Sequence, residues 1–85
     1  MGVKTHDLKT WPIYFDAVAA GLKPFEIRKD DRGFEVGHVL RLKEWDPAAE
    51  RYTGRELMRR VTYVAKCPDL GLLQEGVCVM GLREI

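Results

Sequence analysis

The feature that most constrains this chain is a change of hydrophobic period at Gly21-Leu22-Lys23-Pro24-Phe25-Glu26-Ile27-Arg28. Before it, Phe15, Val18, Ala19 and Leu22 recur at i, i+3, i+4 and i+7, the buried face of a helix. After it, Phe25 and Ile27 alternate with Glu26 and Arg28, the period of a strand. Between them stand a glycine suited to end a helix in the left-handed conformation and a proline that cannot donate to a sheet ladder. The expected arrangement is a helix turned straight into a strand. Leu22, Phe25 and Ile27 would anchor it in the core, leaving Lys23, Glu26 and Arg28 to face a groove together.

The flanking segments extend this pattern. A first strand is expected over 4–9, and Thr10-Trp11-Pro12 then starts a helix reaching about residue 20, proline's fixed φ suiting the first turn. Asp30-Asp31-Arg32-Gly33 stops the second strand. A third, over 38–45, carries Leu40 and Leu42 on one side and Arg41, Lys43 and Trp45 on the other. Residues 46–54 have loop composition, and 55–66 read as a long strand with a bulge at Arg59-Arg60. Residues 68–76 form a connection with a helical turn at 70–73. Residues 77–82, apolar on both faces, suit a buried strand that closes a barrel. The fold class is therefore α+β: a small, mostly antiparallel β-barrel with one main helix after the first strand, in a single domain over 1–85.

Composition bounds the function. A chain of 85 residues hides only about 60% of its extended surface on folding, which leaves no room for a separate catalytic domain. The net charge of +1 supplies no broad field, so a nucleic-acid partner would have to be held by cations gathered locally. No apolar run approaches the roughly 18 residues of a membrane span, and the amino terminus has no signal-peptide core, so a cytoplasmic protein is expected. Cys67 and Cys78 match neither a zinc ribbon nor a redox pair. With His6, Asp7 and His38 scattered along the chain, neither a metal nor a cofactor is expected.

Gly21, Lys23, Glu26 and Arg28 match the G-x-K-x-x-E-x-R signature of ASCH domains, which belong to the PUA-like superfamily of small β-barrels. The segments at 5–9, 25–32, 36–37, 44–46 and 52–55 resemble a compact branch of that family found in phages and bacteria. The branch commonly has an acidic residue after Gly37, where this chain has His38. The resemblance implies a pseudo-barrel with a helix beside a cleft, and a role in binding RNA or another nucleic acid.

The charged residues fit such a role. Arginine's fork at Arg28 would meet a phosphate or base edge, Lys23 the negative end of the helix dipole, a phosphate or a substrate carbonyl, and the Glu26 carboxylate an exocyclic amine. The plainer alternative is a structural ion pair between Glu26 and Arg28. Lys29 and Arg32 either extend the patch or belong to a solvated loop. Arg41, Lys43 and Trp45 make a second candidate surface, on which Trp45 either stacks a base or packs beneath the 46–54 loop. Tyr52, Arg55, Arg59 and Arg60 add further contacts near that loop.

An enzyme is the other class considered. Some ASCH-like proteins are amidohydrolases that remove an acetyl group from cytidine, and they resemble this chain at Lys23 but carry a hydroxyl nucleophile where Glu26 stands. Glu26 would then have to activate water with Lys23 as its electrostatic partner. A weak ribonuclease would use the same pair with Arg28. A phage-encoded inhibitor binding a host protein is the third possibility.

Overall fold

The structure is a computed structural model that describes residues 3–66 and 75–85. Five strands and one helix follow in the order β1 (Thr5–Thr10), α1 (Pro12–Ala19), β2 (Phe25–Lys29), β3 (Val39–Asp46), β4 (Arg51–Lys66) and β5 (Val77–Glu84). They form one sheet in the order β1-β3-β4-β5-β2. β1 runs parallel to β3, and the other three pairings are antiparallel. The result is an α+β fold, mostly strand, with a single short helix and a sheet curled into a half-barrel.

The expected barrel closure is not made by a ladder, because β5 lies inside the sheet between β4 and β2, and β1 and β2 are its edges. Arginines bridge the gap instead. Arg28 Nη2 donates to the Lys9 carbonyl at 2.9 Å, and Arg32 Nη1 donates to the Asp7 carbonyl at 2.6 Å. Carbonyls two residues apart on a strand point the same way, so these guanidiniums satisfy the edge of β1 that β3 leaves open.

Leu8, Phe15, Val18, Phe34, Leu40, Leu42, Val61, Cys78, Met80 and Leu82 fill the concave side. The helix contributes Phe15 and Val18 as its pattern predicts, but Ala19, its last residue, and Leu22, beyond its end, are exposed. It ends in a Schellman turn. Gly21 adopts φ 77°, and the amides of Gly21 and Leu22 donate to the carbonyls of Val18 and Ala17 at 3.0 and 2.9 Å. This turn aims the chain into β2.

β2 is inverted relative to expectation. Glu26 is buried, and Phe25 and Ile27 are exposed. Its pairing with β5 explains the inversion: Glu26 and Arg28 stand opposite Met80 and Cys78, both of which face the core. The Glu26 carboxylate is therefore buried beside apolar side chains, and it is tolerated there because two cations reach it.

Three further expectations change. Residues 51–54 belong to β4, and only a tight turn, with Glu50 at φ 51°, separates β3 from β4. Local composition reads as loop, but pairing of Tyr52 with Trp45 and of Arg51 with Asp46 draws the segment into the sheet. The bulge falls at Thr62 rather than Arg59-Arg60, opposite Gly81, where a Cβ would lie 2.8 Å from the Thr62 hydroxyl. β5 alternates rather than being buried on both faces, with Cys78, Met80 and Leu82 inside and its other face partly covered. The helical turn expected at 70–73, and Cys67, lie outside the described residues. Among the described residues no helix is long and apolar enough to cross a membrane.

Candidate functional site

The gap between β1 and β2 opens beside the helix as a cleft of about 530 Å³, lined by Lys9, Thr10, Trp11, Tyr14, Lys23, Glu26, Ile27 and Arg28. Three elements converge here. β1 ends at Thr10, the helix begins with Trp11 as its N-cap and Pro12 in its first turn, and the Schellman turn returns Lys23 to face β2.

Glu26 is the centre of the charged floor. Its Oε1 accepts from Lys23 Nζ at 2.7 Å and its Oε2 from Arg28 Nε at 2.8 Å. Lys23 Nζ also donates to the Phe25 carbonyl at 3.1 Å, and Arg28 Nη2 donates to Thr10 Oγ1 at 3.2 Å. One carboxylate thus holds two cations of opposite chain origin, the end of the helix turn and the inner face of the strand. Charge-assisted bonds at both oxygens are what allow it to be buried. The ion pair is real, and it fixes both cations at the cleft.

The cleft also has aromatic walls, which the pattern of charges does not reveal. Trp11 and Tyr14, three residues apart at the start of the helix, share a face directed away from the core and toward the cleft, and both are half-exposed. Lys23 Nζ lies 5.7 Å from the centre of the Tyr14 ring. Their spacing is the signal that could have revealed them. It was obscured by the stronger apolar register of Phe15 and Val18.

The other candidates lie elsewhere. Lys29 borders a separate hollow with Asp30, Asp31 and Glu75. Arg32 is held on the Asp7 carbonyl. Arg41 is paired with Asp7 at 3.1 Å and Glu56 at 3.8 Å. Trp45 neither stands open nor packs beneath a loop: it meets Tyr52 edge to face at 5.0 Å across the hairpin, with Lys9 Nζ 3.9 Å from its ring centre. Lys43 covers Tyr52 at 4.8 Å. These residues occupy the convex face. Arg55 reaches Asp16 at 3.2 Å and the buried Glu44 at 3.3 Å, whose other oxygen accepts from the Thr53 hydroxyl at 2.7 Å. It does not line the cleft.

His6 and His38, read as scattered, meet at the far end of β1. His38 Nδ1 accepts from the Glu35 amide at 3.3 Å, so the 3.0 Å contact with His6 Nε2 is donated by His6. Burial first, then the neighbouring His38, pushes the His6 imidazole below its ordinary value. Asp7 does not join them. Its side chain turns to the opposite face, toward Arg41.

A small curled α+β half-barrel with a cationic, aromatic cleft between its edge strands is the class that fold and site define. The chain belongs to DUF3850, a family described as a domain of unknown function, whose model matches residues 5–82. It is 41% identical over 69 residues to a protein of Escherichia phage P2 described as an uncharacterized 12.9 kDa protein in the GpA 3′ region. That match takes in 81% of this chain and 62% of the phage protein, so the chain spans less than two thirds of that relative's length.

Proposed function

We propose that this protein is a cytoplasmic nucleic-acid-binding module, for RNA before DNA, of the PUA-like ASCH type, and that the cleft between β1 and β2 is its binding site. The observation that carries the reading is the convergence of two half-exposed aromatic rings, Trp11 and Tyr14, with two fixed cations, Lys23 and Arg28, in one hollow. Base stacking on exposed rings beside cations that meet the backbone is how single strands are held with little help from net charge. Glu26 supports binding over catalysis, because both of its oxygens are committed to Lys23 and Arg28 and it is almost wholly buried, which leaves no carboxylate ready to take a proton from water.

Titration with a short single-stranded RNA at low and at moderate salt tests the reading. Binding that weakens as salt rises supports it, and absence of binding at either salt overturns it.

A further inference from the structure

This inference rests on the nucleic-acid reading of the cleft and concerns which part of the ligand enters first. The polar groups of the floor divide unequally between donors and acceptors. Glu26 supplies the acidic oxygens, but its side chain is only 3% exposed and both oxygens already accept from cations. The donors are not exhausted. Lys23 Nζ uses two of its three hydrogens, on Glu26 and on the Phe25 carbonyl. Arg28 places Nε on Glu26 and Nη2 on the Lys9 carbonyl and Thr10 hydroxyl, and among the described residues its Nη1 has no partner. The floor therefore offers hydrogen bonds and receives none, and its charged triad carries one net positive charge.

Depth orders these groups. The Lys23 and Arg28 side chains are 18% and 25% exposed, whereas Trp11 and Tyr14 at the mouth are 52% and 53% exposed. A ligand that matches this order brings acceptor oxygens to the bottom and a flat ring to the top. A base entering first would bring a neutral acceptor edge, a weaker partner for a guanidinium than a charged phosphate oxygen, and would leave any exocyclic amine facing donors. An internal phosphodiester carries a single negative charge and a sugar on each side, and the Arg28 bridge to β1 closes the floor against a strand passing through. A phosphomonoester at a chain end presents three free oxygens with a sugar on one side only, and its extra charge near neutral pH strengthens the contact with a guanidinium.

We infer that the cleft recognises the terminal phosphomonoester of a nucleotide, with the phosphate on Arg28 and Lys23 and the base against Tyr14 and Trp11. The same chemistry is presented by a free mononucleotide and by a phosphorylated strand end, and the test separates them. Fluorescence anisotropy would compare one hexanucleotide RNA with hydroxyl ends, with a 5′-phosphate and with a 3′-phosphate, and would use a mononucleotide and its nucleoside as competitors. One phosphorylated form is expected to bind about tenfold more tightly than the hydroxyl-ended strand, the effect of a charge-assisted contact. Competition by the mononucleotide but not by its nucleoside would assign the site to free nucleotides as well as strand ends. Arg28→Gln and Lys23→Gln should each reduce the preference. The comparison in the unaltered protein stands even where a variant fails to fold. Equal affinity for all three strands would overturn this inference while leaving RNA binding intact, whereas no binding of any strand would overturn both.

Discussion

Arg28 Nε donates to Glu26 Oε2 at 2.8 Å along one inward-facing edge of β2, while Phe25 and Ile27 between and before them look out to solvent. The charged pair, rather than the apolar pair, is the buried one. This reversal determines where the cleft lies and what lines it.

Removing the carboxylate tests the electrostatic part of that relationship. Glu26→Ala should lower stability by about 1–3 kcal/mol, because Lys23 and Arg28 lose the partner that satisfies them in a partly buried position. A urea midpoint unchanged from the parent protein would contradict the role assigned to Glu26.

The orientation of β2 makes a paired prediction. Ile27→Ser should change stability by less than about 0.5 kcal/mol, as for other exposed sites. Met80→Ala, opposite Glu26 and fully buried, should cost about 2–5 kcal/mol. Comparable losses from the two substitutions would mean that Ile27 faces the core after all.

The sequence identifies which residues share a face more readily than which face is inside. Alternation puts Glu26 with Arg28 and Phe25 with Ile27 whichever way the strand turns. Preference for apolar residues in the core then points the wrong way, because the neutralising lysine arrives from the helix turn and the second contact surface, Thr10 and the Lys9 carbonyl, from β1. Helix register is different: Phe15, Val18 and the Gly21 stop are local, and all three are found where the pattern puts them. Leu40 and Leu42 on β3 are legible for the same reason. The start of β4 is not, since Tyr52 gains its strand conformation from Trp45 across the hairpin.

His6 gives the protein a directional response to acid. Burial and then His38 hold its imidazole below the ordinary 6.5, so the unfolded chain takes up the proton first as pH falls. The contribution of neutral His6 is complete above about pH 6.5 and is lost progressively below it, at no more than about 1.4 kcal/mol per pH unit. Urea midpoints should fall from pH 7.5 to pH 5, and His6→Gln should flatten that fall. An equal slope in the variant would assign the acid sensitivity to other groups.

Cys78 should be chemically silent in the folded state. Burial first, then the nearby Asp30 carboxylate, pushes its thiol above the ordinary 9.0, and no part of the residue is exposed. In a Cys67→Ser background, a thiol-specific reagent at pH 8 should label it only after unfolding in urea. Rapid labelling without denaturant would show that this end of β5 opens readily.

Stacking on the helix predicts the energetic signature of binding. Tyr14→Ala should weaken RNA affinity by about 1–3 kcal/mol, the worth of one stacked base, with little effect on the urea midpoint because the ring is half-exposed. Unchanged affinity would remove Tyr14 from the site.

The chain's two tryptophans report on two different surfaces, Trp11 in the cleft and Trp45 on the convex face beside Tyr52. Their indole N–H signals, followed by nuclear magnetic resonance during titration with a short single-stranded RNA, test the location of the site most directly. The Trp11 signal is expected to move together with the amides of residues 23–28, while Trp45 changes little. Movement of Trp45 with Trp11 unchanged would place binding on the convex face and contradict the account.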